Sequence, residues 1–290
     1  MMNQQGDNLR PEILREGLPR SMFTEIVHYV PVLGSTNSYA RELAKGGEPE
    51  GSLVITEKQT SGRGRLGRNW QSPSGVSLLF SVLFRPPFSV DRVFLLTMLT
   101  SVSLVDAIRE VTGLRALIKW PNDIYCNGKK VAGILTEFSA DSTDIDYAVV
   151  GVGLNVNWDV QGRPELEHIA TSLMKEAGHP VSRIALLSTI LDGLERDYKR
   201  LLRGEDEPIR DRWKGNSMVI GREVLIDPGG AGKRAKATGI DRNGALLIEE
   251  ENGRTGSVVC GDVQVLFPSL PGTAVKRDRS GGCRGSFQRR

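Results

Sequence analysis

The spacing of apolar and polar positions divides the chain into stretches of different period. "VSLLFSVLF", Val76 to Phe84, is almost continuously apolar and has the length of a strand buried on both faces. "DYAVVGVGLNVNW", Asp146 to Trp158, alternates instead. Val150, Val152, Leu154 and Val156 point one way, and Gly151, Gly153, Asn155 and Asn157 point the other. One face of that strand is core. The other is bare backbone ending in amides, which suits either a flat ligand or a tightly packed helix. "EIVHYVPVL" (Glu25 to Leu33) and "GSLVITEKQ" (Gly51 to Gln59) read as further strands.

Helical spacing appears three times. "STNSYARELAKGG" predicts a short helix with Ser35 or Thr36 as its N-cap and Gly46 as its stop. Leucines and valines from Arg92 to Val111 predict a long helix capped by Asp91. "SRIALLSTILDGLERDYKRLLRG" predicts another, capped by Ser182 and ended by Gly204. "RALIKWPNDIYCNGKKVAGILTEFS" reads as strand, turn, strand, with Asn127-Gly128 as a hairpin dipeptide. From Met218 the pattern becomes short β runs separated by Pro228-Gly229 and Asn243-Gly244, a small barrel. The predicted fold is α+β: a mixed-sheet domain over residues 26–215, then a barrel over 216–268. Residues 1–25 read as a leader or linker with one helical turn, and 269–290 as a disordered basic tail.

Composition adds limits. The 290 residues are 39% hydrophobic and 25% charged, as in soluble globular proteins. No apolar run nears the roughly eighteen residues of a membrane helix, and the N-terminus lacks the apolar segment of a secretory signal. The three cysteines are too few and too scattered for a disulfide framework or a zinc site, so a cytoplasmic chain with reduced thiols is expected. The net charge of +3 hides a division: the segment from Val275 carries six Lys or Arg against one Asp, or +5, leaving −2 for the rest. A basic body that would attract nucleic acid is not indicated.

The candidate chemistry centres on "TSGRGRLGRNW", Thr60 to Trp70. Its glycines permit close backbone approach, and Arg63 and Arg65 share a face in extended chain. A clamp on an anionic ligand, an RNA-binding segment and a plain surface loop all fit. No phosphate-binding glycine loop of the G-x-x-x-x-G-K-[ST] type occurs, and "GVGLNV" lacks the third glycine of a dinucleotide fingerprint. Phosphates, if bound, meet side chains. In "KWPND" Pro121 keeps Trp120 out of helical geometry, and Asn122 and Asp123 can cap or coordinate. Lys130, entering an apolar strand, either snorkels or pairs with an anion. The histidines, His28, His168 and His179, sit in unrelated contexts and read as structural or solvated. With no nucleophile–histidine set and no metal-ligand cluster, the chemistry is expected to be electrostatic.

Taken together, "GSTN", "QTSGRGRLGRNW", "KWPNDI", "GKKVAGILTE" and "GVGLNVN" resemble, in order, the motif set of the biotin–protein ligases. The likeness runs from about Glu25 to Pro268 and implies a catalytic domain followed by a barrel of the Src-homology-3 type. It implies that Ser35, Thr36, Asn37 and Gln59 meet biotin's ring and tail. Arg63, Gly64 and Arg65 match the loop that closes over biotin and its adenylate, and Lys130 matches the lysine near biotin's carboxylate and the α-phosphate. Gly133, Gly153 and Asn155 match the sheet floor, and Trp70 an aromatic beside the lid. Arg65, Arg68, Trp70, Asn122, Lys130 and Asn155 fall on the nucleotide side, and Arg63, Arg65 and Lys130 are the expected catalytic residues. Biotin and ATP with Mg²⁺ are the implied substrates, and a biotin carboxyl carrier protein is the implied partner. The resemblance also allows a homodimer. Only about twenty-five residues precede the first strand, so no operator-binding domain is expected. A lipoate or octanoate ligase on the same scaffold and a non-enzymatic RNA-binding protein are the alternatives.

Overall fold

The computed structural model describes residues 9–159, 168–227 and 232–266. A seven-stranded mixed sheet runs in the order β1-β3-β5-β9-β8-β7-β6. Its strands are β1 (Val27–Tyr29), β3 (Leu53–Thr56), β5 (Ser77–Phe84), β6 (Ala116–Lys119), β7 (Asp123–Cys126), β8 (Lys129–Asp141) and β9 (Asp144–Asn155). A separate parallel pair, β2 (Val32–Leu33) and β4 (Lys58–Gln59), lies beside it. All eight residues of β5 are buried, as its apolar run demands.

One face of the sheet is covered by α3 (Phe94–Thr112) and α5 (Arg183–Leu202), the latter preceded by the short α4 (Leu173–Ala177), with α6 (Glu207–Gly215) against α3. There Phe80, Val150, Val152 and Leu154 join the main core. α2 (Thr36–Lys45) crosses the opposite face, where Ala40 and Ala44 pack on Val54, Leu83 and Val149. Ser35 and Ser182 cap α2 and α5, accepting from Ser38 N and Ala185 N.

Five expectations change. Pro31 divides the strand predicted over Glu25–Leu33, and β3 and β4 likewise divide the second. The KWPND region holds three strands, because the turn at Trp120-Pro121 separates β6 from β7. Asn127 and Gly128 make the predicted hairpin, with φ of 48° and 78°. Asp91 does not cap α3: it lies in a 3₁₀ turn ahead of Val93 and accepts from Ser89 and from Asn243. Residues 9–25, expected as a linker, hold α1 (Pro11–Gly17) and send Leu9, Leu14 and Phe23 into the core. Phe23 stacks edge-on to Phe84 at 5.4 Å.

The SH3-like C-terminal unit is a five-stranded antiparallel sheet in the order β13-β12-β11-β10-β14. It comprises β10 (Glu223–Asp227), β11 (Lys233–Ile240), β12 (Leu246–Glu249), β13 (Thr255–Val258) and β14 (Asp262–Val265). Its Asn243-Gly244 turn docks on the mixed-sheet domain, where buried Trp120 donates from Nε1 to Gly244 O at 3.1 Å. The Pro228-Gly229 turn and the basic tail lie outside the described residues, and so does Cys283; Cys126 is buried and Cys260 exposed, both free. Among the described residues no helix is long and apolar enough to cross a membrane.

Candidate active site

Sheet register builds the site. Lys119 of β6 stands opposite Asp123 of β7, Asp123 opposite Gly133 of β8, and Gly133 opposite Gly153 of β9. The next row on that face aligns Leu135, Gly151 and Ser81. Three glycines therefore meet on the face away from α3, and their missing side chains form the floor of a cleft of about 650 Å³. The flat group on that floor is Trp70: a Cβ at Gly153 would fall 2.5 Å from its indole. A Cβ at Gly151 would fall 1.9 Å from Asn37 Oδ1.

Every residue that the family resemblance singled out lines this one cleft. At one end Gln59 Oε1 accepts from Thr36 N at 2.8 Å and lies 3.2 Å from Thr36 Oγ1. The buried Ser81 hydroxyl of β5 reaches Thr36 Oγ1 at 2.8 Å and Asn37 Oδ1 at 2.7 Å, with one proton to share. Asn37 donates both amide hydrogens to protein, at 3.0 Å to Leu135 O and 2.9 Å to Glu137 Oε2. It frames the pocket, with both amide hydrogens taken by protein acceptors.

The arginine–glycine run is an ordered hairpin. Arg63 and Asn69 bridge antiparallel, Trp70 N donates to Gly62 O at 2.9 Å, and Leu66 turns the tip at φ 55° with Gly67 at 72°. Each arginine has a protein anion in reach. Arg63 donates to Glu137 at 2.8 Å, an acid that also holds Arg41 at 3.1 Å. Arg65 donates to Asn122 Oδ1 and to Gly261 O, both at 3.2 Å, and Arg68 pairs with Asp262. These charges converge on a cleft and form no open basic face, which disfavours the RNA-binding alternative.

At the other end Lys130 does not snorkel. Its ammonium lies 2.6 Å from Asp123 Oδ1 and 5.7 Å from the Trp70 ring centre. Its backbone is pinned by an exchange with the segment after the undescribed 160–167, N to Ile169 O and O from Thr171 N, both at 2.9 Å. Lys119, 3.5 Å from the Tyr125 hydroxyl, is held below the ordinary lysine value by burial, with Asp123 and Asp262 pulling the other way. Burial, then the same two carboxylates, pushes the Tyr125 phenol up to about 12. Two buried polar atoms in the cleft, Trp70 Nε1 and Asn155 Oδ1, have no hydrogen-bond partner among the described residues. A polar ligand satisfies such groups. Among those residues no group of three His, Cys, Asp or Glu side chains is placed to hold a metal. His28 pairs with Glu48 at 2.7 Å, and His168 and His179 are exposed, so all three lie off the chemistry.

Sequence reasoning missed Ser81, Lys119, Tyr125, Glu137 and Asp262. Alternation could have placed Lys119, Asp123 and Tyr125 on one face, since they stand at even spacing about the Trp120-Pro121 turn. Ser81 as the one polar residue within "LLFSVLF" was a second available signal. Glu137 closes "GKKVAGILTE", though nothing there marks it as an arginine partner, and for Asp262 no local signal exists.

A mixed sheet with a glycine floor, an arginine loop above it and an antiparallel unit closing one end defines the class. The profile of the Biotin/lipoate A/B protein ligase family matches residues 29–155, and that of the Biotin protein ligase C terminal domain matches residues 219–266. The chain belongs to the biotin protein ligase family. It is 38% identical over 241 residues to the bifunctional ligase/repressor BirA of Bacillus subtilis (strain 168), spanning 83% of this chain and 74% of that one. It is 33% identical to the biotin–[acetyl-CoA-carboxylase] ligase of Paracoccus denitrificans, over 76% of this chain and 92% of that one. The solved biotin protein ligase from Aquifex aeolicus in complex with biotin and ATP superposes with a TM-score of 0.72 at 27% identity, covering 84% of this chain and 100% of that one.

Proposed function

We propose that this chain is an ATP-dependent biotin–protein ligase acting in the cytoplasm. The observation that carries the reading is the convergence of Gln59, Thr36, the glycine floor, the loop arginines and Lys130 on one cleft. The membership in the ligase family supports it, and so does the likeness to a ligase solved with biotin and ATP.

The cleft's chemistry suits two halves, an adenylyl transfer and then an acyl transfer. In the first, a carboxylate oxygen of biotin attacks the α-phosphorus of ATP, the bond to the β-phosphate oxygen breaks, and pyrophosphate leaves with the electron pair. Two anions must be brought together, so cations are the main requirement. Lys130 stands at the cleft floor between Asp123 and Trp70, where it can neutralise carboxylate and phosphoryl oxygens, and Arg63 and Arg65 cover them from above. In the second half, the ε-amine of a carrier-protein lysine attacks the acyl carbon, AMP leaves, and the amide nitrogen gives up its proton. The arginine loop excludes water from the anhydride between the two steps. Mg²⁺ enters on the triphosphate as part of the ATP substrate. The acceptor is a biotin carboxyl carrier domain of an acetyl-CoA carboxylase, in keeping with the name of the Paracoccus relative.

An octanoyl or lipoyl substrate offers no ureido group to the Gln59 amide. Biotin-dependent exchange of labelled pyrophosphate into ATP tests the reading. Exchange with biotin and none with octanoate or lipoate is expected; exchange with lipoate alone would replace biotin as the substrate.

A further inference from the structure

Asp262 belongs to no motif. It lies at the start of β14, yet it lines the cleft beside residues nearly two hundred positions earlier in the chain. Its carboxylate pairs with Arg68 and stands 3.8 Å from Arg65, while the carbonyl of Gly261 accepts from Arg65 at 3.2 Å. The tight tip, with Leu66 at φ 55° and Gly67 at φ 72°, turns the guanidiniums of Arg65 and Arg68 toward one carboxylate. Of the loop arginines, Glu137 holds Arg63 alone. The outer half of the loop is thus fastened to the C-terminal unit, and the inner half to the catalytic sheet.

The two fastenings differ in strength. Arg65 is the less exposed, at 22%, and has the neutral acceptors Asn122 and Gly261 besides the acid. Arg68 is 65% exposed and depends on Asp262, so solvent screens its pair and a better anion can take it. ATP and pyrophosphate are such anions, because polyphosphate oxygens accept bidentately from a guanidinium. Biotinyl-adenylate is not: it keeps one phosphoryl group, which sits at the anhydride.

We infer that Asp262 is a positioning residue of the ligase reaction, a latch from the C-terminal unit that yields Arg68 to polyphosphate and retakes it when pyrophosphate leaves. The loop is then loose while ATP enters and pyrophosphate departs, and fastened while the adenylate waits for its acceptor. Asp262 also opposes return of pyrophosphate, since it holds the arginine that pyrophosphate would need. This inference rests on the ligase reading.

The test uses the full chain with biotin, ATP and Mg²⁺ and compares wild type, D262N, D262E, R68A and the R68A/D262N double variant. The half-life of protein-held biotinyl-adenylate is followed by gel filtration, along with the pyrophosphate concentration that reverses its formation. D262N should shorten the half-life about tenfold, the loss of one charged hydrogen bond, and should lower the pyrophosphate needed for reversal. D262E should restore both, and the double variant should be no worse than R68A. A general weakening of the fold would shorten the half-life without moving the pyrophosphate response. Adenylate held as long by D262N as by wild type, or single-variant effects that multiply in the double, would overturn the latch alone. A wild-type protein that makes no adenylate would overturn the ligase reading, and the latch with it.

Discussion

One buried arginine and the three of the loop do opposite things. Arg183, the first residue of α5, is 2% exposed and donates to both Glu57 oxygens, at 2.5 and 3.4 Å, and to Ser77 O at 3.1 Å. Glu57 also accepts from Leu9 N at 3.0 Å, so this buried pair ties α5, the N-terminal segment and the root of the arginine loop together. Arg63, Arg65 and Arg68 extend from that root, six to eleven residues on, and are 39%, 22% and 65% exposed. Depth separates the roles. A buried, saturated guanidinium fixes the chain, and an exposed one with a replaceable carboxylate is available to a ligand.

That contrast can be attacked in order of expected effect. Arg183→Ala should cost about 3 kcal/mol of stability in urea melts, because it leaves the largely covered Glu57 without its counter-charge. Removing both partners with Arg183→Met and Glu57→Leu should cost far less than the single change, which would separate burial of a lone charge from the worth of the pair. Lys130→Ala should slow biotin-dependent pyrophosphate exchange about 10²–10³-fold, with an unchanged melt; unaltered exchange would remove Lys130 from the chemistry. Arg65→Ala should leave the fold intact and release biotinyl-adenylate about tenfold faster in a filter assay. Leu66→Ser, at a tip side chain 71% exposed, should stay within about 0.5 kcal/mol of wild type. A large loss there would mean that the loop tip is part of the folded core.

The fold was legible wherever one period dominates. The apolar run of β5, the alternation of β9, the Asn127-Gly128 hairpin and the serine caps of α2 and α5 are local signals, and local physics answers them. The cap at Asp91 failed for a long-range reason: its carboxylate accepts from Asn243 of the C-terminal unit. The N-terminal segment failed likewise, since Leu9 and Phe23 find their partners in segments distant along the chain, Phe23 against Phe84 and Tyr198. At the site, the five motifs gathered the ligand-facing groups, but the acids that hold them stayed hidden. Glu137 looks like a solvated strand residue and Asp262 like a turn residue, until the chain brings each to an arginine 74 and 194 positions away.

The central claim is that the glycine-floored cleft takes biotin and activates it beneath the arginine loop. Calorimetric titration of biotin into the wild-type protein, repeated with ATP and Mg²⁺ present, tests it most directly. One biotin per chain without nucleotide, and with nucleotide a further heat of reaction that leaves the adenylate bound, is the predicted result. No heat from biotin in either titration, from protein that melts cooperatively, would contradict it.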